Sequence, residues 1–198
     1  MDLRMGVIRK FAKGKILDVG FRDGTLHSDI VKRYSEKNVW GLDITLKKET
    51  NRLLRGSAEK MDKIKNADFD TIVAGELIEH LKAPEKFVKE CKRVLKKDGT
   101  VIVTTPNVKS LINRIFKNNR HSGHISLFHK SSLTALFERN GFRIAEFSYL
   151  PYTEHSSPGK SDELGFFKNL IKNRGRRFLH HLLPSGLRED MVLVAARS

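Results

Sequence analysis

Short, strongly apolar runs alternate along the chain with stretches in which apolar residues recur every three or four positions. Lys15-Ile16-Leu17-Asp18-Val19 predicts a buried strand that stops at Gly20, and Leu26, Ile30 and Val31 then fall at helical spacing between Gly24 and Tyr34. Val39 to Leu42 predicts a second strand ending at Asp43. A weaker third lies near Leu53-Leu54, before Gly56, and Asp70 to Ala74 is a clear fourth. Pro84 suits the first turn of a helix with Phe87, Cys91, Val94 and Leu95 on one face. Asp98-Gly99 is expected to turn the chain into a strand from Thr100 to Thr104, closed by Pro106. Ser131 or Ser132 is placed to cap a helix bearing Leu133, Leu136 and Phe137, with Gly141 ending it. Phe142 to Tyr149 and Met191 to Ala196 read as two final strands. Strand, helix, strand at this spacing implies right-handed βαβ units and a parallel sheet. With no internal repeat and no second core in the pattern, residues 1–198 are expected to form a single α/β domain.

Composition narrows the class. Apolar residues make up 39%, and the 14 glycines bring the chain into the ordinary globular range, which argues against wholesale disorder. The lone Cys91 excludes an internal disulfide framework and a cysteine-built metal cluster. No apolar run approaches the roughly 20 residues of a membrane span, and Met1 to Lys13 lacks the apolar core of a signal peptide, so a soluble, cytoplasmic protein is expected. Against 23 acidic residues stand 38 basic ones, and the net charge of +15 asks for an anionic partner such as nucleic acid, phosphate or a membrane surface.

The first strand and its turn read Leu17-Asp18-Val19-Gly20-Phe21-Arg22-Asp23-Gly24. In an open parallel sheet, ligands bind beyond the carboxyl ends of the strands. There Gly20 and Gly24 let the backbone approach a ligand closely, and the following helix offers free N–H groups. The turn is not G-x-G-x-x-G, so a dinucleotide fingerprint is not supported. Asp43, at the end of the second strand, is placed to accept hydrogen bonds from both hydroxyls of a ribose. Together these residues resemble the class I S-adenosylmethionine-dependent methyltransferases, whose first motif D-V-G-C-G-x-G is matched by Asp18, Val19, Gly20 and Gly24. Phe21 replaces the family's cysteine and Arg22 its middle glycine. Gly56-Ser57-Ala58-Glu59 resembles the adenine-contacting segment. Asp70 to Val73 with Glu79-His80-Leu81 resembles the fourth-strand motif, and Val94 to Thr100 the turn into strand five. The resemblance implies a Rossmann-like seven-stranded, mostly parallel sheet of order 3-2-1-4-5-7-6, with helices on both faces and strand seven antiparallel. It also implies S-adenosyl-L-methionine as cofactor, held by Asp18, Gly20, Phe21, Gly24, Asp43, Ile44, Ser57, Ala58, Glu59 and Glu76, with Glu76 near the sulfonium end.

Glu76-Leu77-Ile78-Glu79-His80 carries a second signal. On a helical turn, spacings of three and four gather both carboxylates and the imidazole toward one cation, and that donor set suits Mg²⁺, Mn²⁺ or Zn²⁺. The E-x-x-E-H string resembles that of ubiquinone-pathway O-methyltransferases and of small-RNA 3′-terminal 2′-O-methyltransferases. In the latter a downstream histidine completes a metal site, a place that His124 matches here. A Glu-His pair also lines methyltransferase clefts without metal, and His80 or His124 is then the candidate general base.

Methyl transfer from a sulfonium needs alignment more than acid–base help. The residues therefore point to binding groups more readily than to a catalytic one. In the resembled superfamily the substrate side is built after strands four, five and six, which makes 107–130 and 151–187 the expected substrate-side or lid insertions. From Lys109 to Arg143 there are seven Lys or Arg against Glu138 alone, and Lys168, Lys172, Arg174, Arg176 and Arg177 form a second basic block interleaved with Phe166, Phe167 and Phe178. Three substrates or roles follow from this. The leading expectation is O-methylation of a small-molecule acceptor, either a quinone precursor or a sugar hydroxyl, with peripheral membrane contact as one use of the basic, aromatic-rich segment. The next is metal-dependent 2′-O-methylation of RNA. The third, suggested by Arg22, is a catalytically degenerate interaction subunit.

Overall fold

The computed structural model describes residues 4–22, 24–110, 123–150, 184 and 190–198. Most of 107–130 that lies beyond Ser110, nearly all of 151–187 and the second basic block fall outside the described residues.

Seven strands form one sheet in the order β3-β2-β1-β4-β5-β7-β6. They are β1 (Ile16–Val19), β2 (Val39–Asp43), β3 (Leu53–Arg55), β4 (Phe69–Gly75), β5 (Leu95–Pro106), β6 (Phe142–Tyr149) and β7 (Asp190–Arg197). The first five run parallel, and β7 lies antiparallel between β5 and β6. All four residues of β1 are buried, as a central strand covered on both faces demands. On one face α1 (Arg4–Phe11) and α2 (Thr25–Tyr34) bring Met5, Ile8, Leu26 and Ile30 onto Ile16, Val73 and Ile102. On the other, α3 (Pro84–Val94) and α4 (Lys130–Glu138) bring Phe87, Cys91, Leu133 and Phe137 onto Leu17, Ile72 and Val101. The expected fold class, strand order and antiparallel seventh strand are therefore present.

Four local expectations need correction. No element was anticipated before β1, yet α1 buries Met5 and Ile8 to 1% exposure. Leu95 belongs to β5, paired with Phe69, and not to the face of α3. Asp98-Gly99 does not separate two elements; Asp98, at φ 61°, lies in a bulge between the Leu95 and Thr100 pairings of one strand. The cap of α4 is His129 and neither serine: its ring accepts the Ser132 amide, and the Ser132 hydroxyl accepts the His129 amide in return.

Candidate active site

The carboxyl ends of β1, β2, β4 and β5 bring the candidate residues together. After β1, Gly20 takes φ 74°, where a side chain is strained, and a Cβ there would stand 2.7 Å from Leu77 Cδ1, which would have to move. Arg22 is also left-handed, at φ 47°, and its amide donates to Asp43 Oδ2 at 2.7 Å. Gly24 sits at φ −75° as the N-cap of α2 and uses no left-handed freedom. Phe21 turns its ring onto β2, where it covers Gly41, so what this residue presents at the turn is its backbone.

Asp18 is 1% exposed and shares a hydrogen bond of 2.9 Å with His27 Nδ1. Burial pushes its carboxyl above the ordinary value, against the opposing pull of His27 and Arg4. Arg4, on α1, reaches the same place: a Cβ at Gly75 would lie 2.8 Å from its Nη1. Asp43 is 4% exposed, and its Oδ1 accepts from the Thr45 amide at 2.7 Å and the Thr45 hydroxyl at 2.6 Å. Ile44 beside it is 64% exposed, a free apolar surface at the rim. In the expected adenine segment, Ala58 is buried and Ser57 Oγ accepts from the Glu59 amide at 3.1 Å. The Glu59 carboxylate accepts from the Ala83 amide, which ties it to the start of α3.

The E-x-x-E-H string is not a helical turn. Glu76 stands at φ 52°, and only Ile78–His80 forms a single 3₁₀ turn. Glu79, His80 and His124 each offer a ligand atom, all within 4.8 Å of one another. Glu76 is not in that set; its Oε1 accepts from Thr104 Oγ1 at 2.9 Å. Glu79 is 1% exposed: Oε2 accepts from Thr105 Oγ1 at 3.0 Å, and Oε1 meets no protein donor. Burial first, and the neighbouring Glu76 charge second, push its carboxyl up to about 8. His80 Nδ1 lies 2.8 Å from the Gly123 carbonyl oxygen, which can only accept. That fixes the proton on Nδ1 and leaves Nε2 as the basic nitrogen. The His124 ring meets the His80 ring edge to face, with centroids 4.9 Å apart. Its segment is pinned to the 3₁₀ turn, because the Ile125 and Ser126 amides both donate to the Glu79 carbonyl, at 2.8 and 2.9 Å.

Arg4, His27, Thr104 and Thr105 were not anticipated from sequence. Arg4 lies in an unpredicted helix, and His27 sits on a helix face read only for its apolar positions. Thr104 was counted only as a strand residue and Thr105 fell just beyond the expected strand, although their place at the carboxyl end of a central strand was a usable signal.

A glycine turn after β1, an acid ending β2 and this strand order define the fold of the S-adenosylmethionine-dependent methyltransferases. The family model of a methyltransferase domain matches residues 3–146, and the chain belongs to that family. A ubiquinone biosynthesis O-methyltransferase of Actinobacillus pleuropneumoniae is 31% identical over 127 residues, covering 53% of this chain and 53% of that protein. The chain thus spans about half the length of this curated relative. Among solved structures, an S-adenosylmethionine-dependent methyltransferase from Archaeoglobus fulgidus superposes with a TM-score of 0.69 at 18% identity, covering 98% of this chain and 91% of the other. A Haemonchus contortus phosphoethanolamine N-methyltransferase 2, in complex with phosphomonomethylethanolamine and S-adenosylhomocysteine, gives a TM-score of 0.70 at 15% identity, covering 98% of this chain and 52% of the other.

Proposed function

We propose that this chain transfers a methyl group from S-adenosylmethionine to the hydroxyl of a small-molecule acceptor, a quinone precursor or a sugar. The donor set fits the cofactor. Asp43 and Ile44 suit a ribose and an adenine face. Gly20 and the turn suit the amino-acid end, with Asp18 and Glu76 as acids for its ammonium and Arg4 as a cation for its carboxylate. The bound cofactor supplies an already activated methyl carbon. What the chain adds is alignment and an acceptor-side group.

The observation that carries the acceptor reading is the Glu79, His80 and His124 cluster beside the turn. His80 Nε2 is the nitrogen available to take a hydroxyl proton. The unmatched Glu79 Oε1 and the two imidazoles also fit a divalent cation, Mg²⁺, Mn²⁺ or Zn²⁺, which would orient the acceptor oxygen and lower its pKa. Glu76 is left out of this ligand set. The relative's name favours a phenolic acceptor. The net charge of +15 keeps an RNA 2′-hydroxyl as the second reading, while Arg22 carries the third, a non-catalytic interaction subunit.

Purified protein tested on catechols, sugars and RNA, with metal analysis and with chelator added, separates these readings. Turnover of a catechol that falls with chelation and with Glu79→Gln is expected. Turnover insensitive to both removes the metal. Cofactor binding with no turnover on any acceptor supports the interaction subunit.

A further inference from the structure

Arg22 occupies a backbone conformation that favours glycine, because in the left-handed region its Cβ crowds the following carbonyl. It nevertheless delivers its amide to Asp43 Oδ2 at 2.7 Å. Four contacts converge to keep it there. The Phe21 ring lies over Gly41 and fits only because that strand residue has no side chain: a Cβ would stand 2.6 Å from the ring. Phe21 also meets the His27 ring, with centroids 4.7 Å apart and planes tilted by 34°. His27 in turn is anchored through Nδ1 on the buried Asp18 carboxylate at 2.9 Å. The Gly24 amide closes the turn on the Phe21 carbonyl at 3.1 Å.

We propose that His27 is a positioning residue for the cofactor: anchored on Asp18, its ring backs Phe21 against Gly41, and this wedge holds Arg22 left-handed with its amide on Asp43. The inference rests on the reading in which Asp43 receives the ribose. Thr45 supplies two donors to Oδ1 and Arg22 one to Oδ2, so Oδ2 keeps a lone pair to offer. Turn and acid are set as one unit before a ligand arrives, which reduces the ordering that binding must otherwise supply. A side chain foreign to this turn is thereby accommodated by two aromatic rings and a buried acid.

The test is calorimetric titration of S-adenosylhomocysteine into wild type, Asp43→Ala, His27→Ala, Phe21→Ala and His27→Ala/Arg22→Gly, with hydrogen exchange of the Arg22 amide followed in the unliganded proteins. Loss of the wedge is expected to weaken binding about tenfold in His27→Ala and Phe21→Ala and to speed Arg22 exchange. Arg22→Gly is expected to restore most of the affinity, because glycine holds the turn without a brace. Wild-type affinity and slow exchange in His27→Ala would overturn the proposal, and so would a double variant as weak as the single one. If His27→Ala does not fold, Phe21→Ala answers the same question with the His27–Asp18 pair intact. Wild type that fails to bind, or binds no better than Asp43→Ala, overturns the cofactor reading instead. The exchange rates then still decide the wedge.

Discussion

A carboxylate buried to 4% exposure is costly unless donors surround it, and Asp43 has three: two backbone amides and a hydroxyl. Removing it strands the Arg22 and Thr45 amides and also deletes the only carboxylate that ends β2. Asp43→Ala is therefore expected to lose about 1 kcal/mol of stability, the usual worth of hydrogen bonds lost by donors on exposed residues that can turn to water. It should also weaken S-adenosylhomocysteine binding by at least about tenfold, since a charge-assisted bond to the ribose disappears. Urea unfolding and calorimetry read the two effects separately. Unchanged affinity in a folded variant would remove Asp43 from the cofactor site. The acids around the turn do not behave alike. Asp43 is well supplied with donors, Asp18 shares its oxygen with an imidazole, and Glu79 has an oxygen with no protein donor at all. That graded supply separates a donor-rich end, the one proposed to hold the cofactor, from an end that calls for a proton or a cation.

Elements are held in place by bonds that cross between them, and α3 shows how. Glu90 accepts from the Met61 amide at 2.6 Å and from Arg93 Nε and Nη2, both at 2.8 Å, which fastens the helix to the segment after β3. The Arg93 guanidinium, more than the Met61 amide, holds the Glu90 carboxyl below its ordinary value against the cost of its partial burial. Its contribution is complete above the unfolded-state value near about 4.3 and is lost as pH falls through the lower folded value. Glu90→Gln should thus be less stable than wild type at neutral pH, by about 1 kcal/mol, with the gap closing as pH falls through the lowered folded value. Thermal melts across that range check it, and a gap that persists in acid would deny the carboxylate its role.

The same scale explains what the sequence made legible. Strands buried on both faces write themselves as apolar runs, so β1, β2, β4 and β7 could be anticipated from the pattern, while their order was implied by the resemblance of the motifs to the methyltransferases. The helix α1 offers only Met5 and Ile8 to the core in eight residues with basic neighbours, too short a stripe to stand out. Asp43 and Gly20 were legible because their chemistry is fixed by their place at a strand end. Of the expected Glu76, Glu79 and His80 gathering, Glu79 and His80 come together while Glu76 stays out of the set, because the expectation assumed helical geometry; Glu76 is left-handed and only one 3₁₀ turn follows. His124 enters through backbone bonds between segments far apart in the chain, which no local spacing encodes.

At the scale of the whole molecule, charge poses a different question from the site. Several of the 23 acids are already engaged in ion pairs among the described residues, including Asp68 with Lys15, Asp70 with Lys96, Glu49 with Lys63 and Glu85 with Lys89. By count, 38 basic residues exceed 23 acids by 15, so pairing one for one within the chain leaves excess cation. The sulfonium cofactor does not account for this excess, since it is itself cationic at the reacting end. Single-stranded RNA should consequently be retained at low salt whatever the substrate is. Neutralising several phosphates costs roughly a hundredfold or more in affinity between about 50 and 200 mM salt. Retention alone thus decides nothing; its coupling to chemistry does. With a small hydroxyl acceptor, methyl transfer should change little over that salt range while RNA retention collapses, because a neutral acceptor releases no counterions when it binds. Methyl incorporation into RNA that survives at about 150 mM salt, or turnover that falls in step with RNA retention, would move the acceptor from the small-molecule class to nucleic acid.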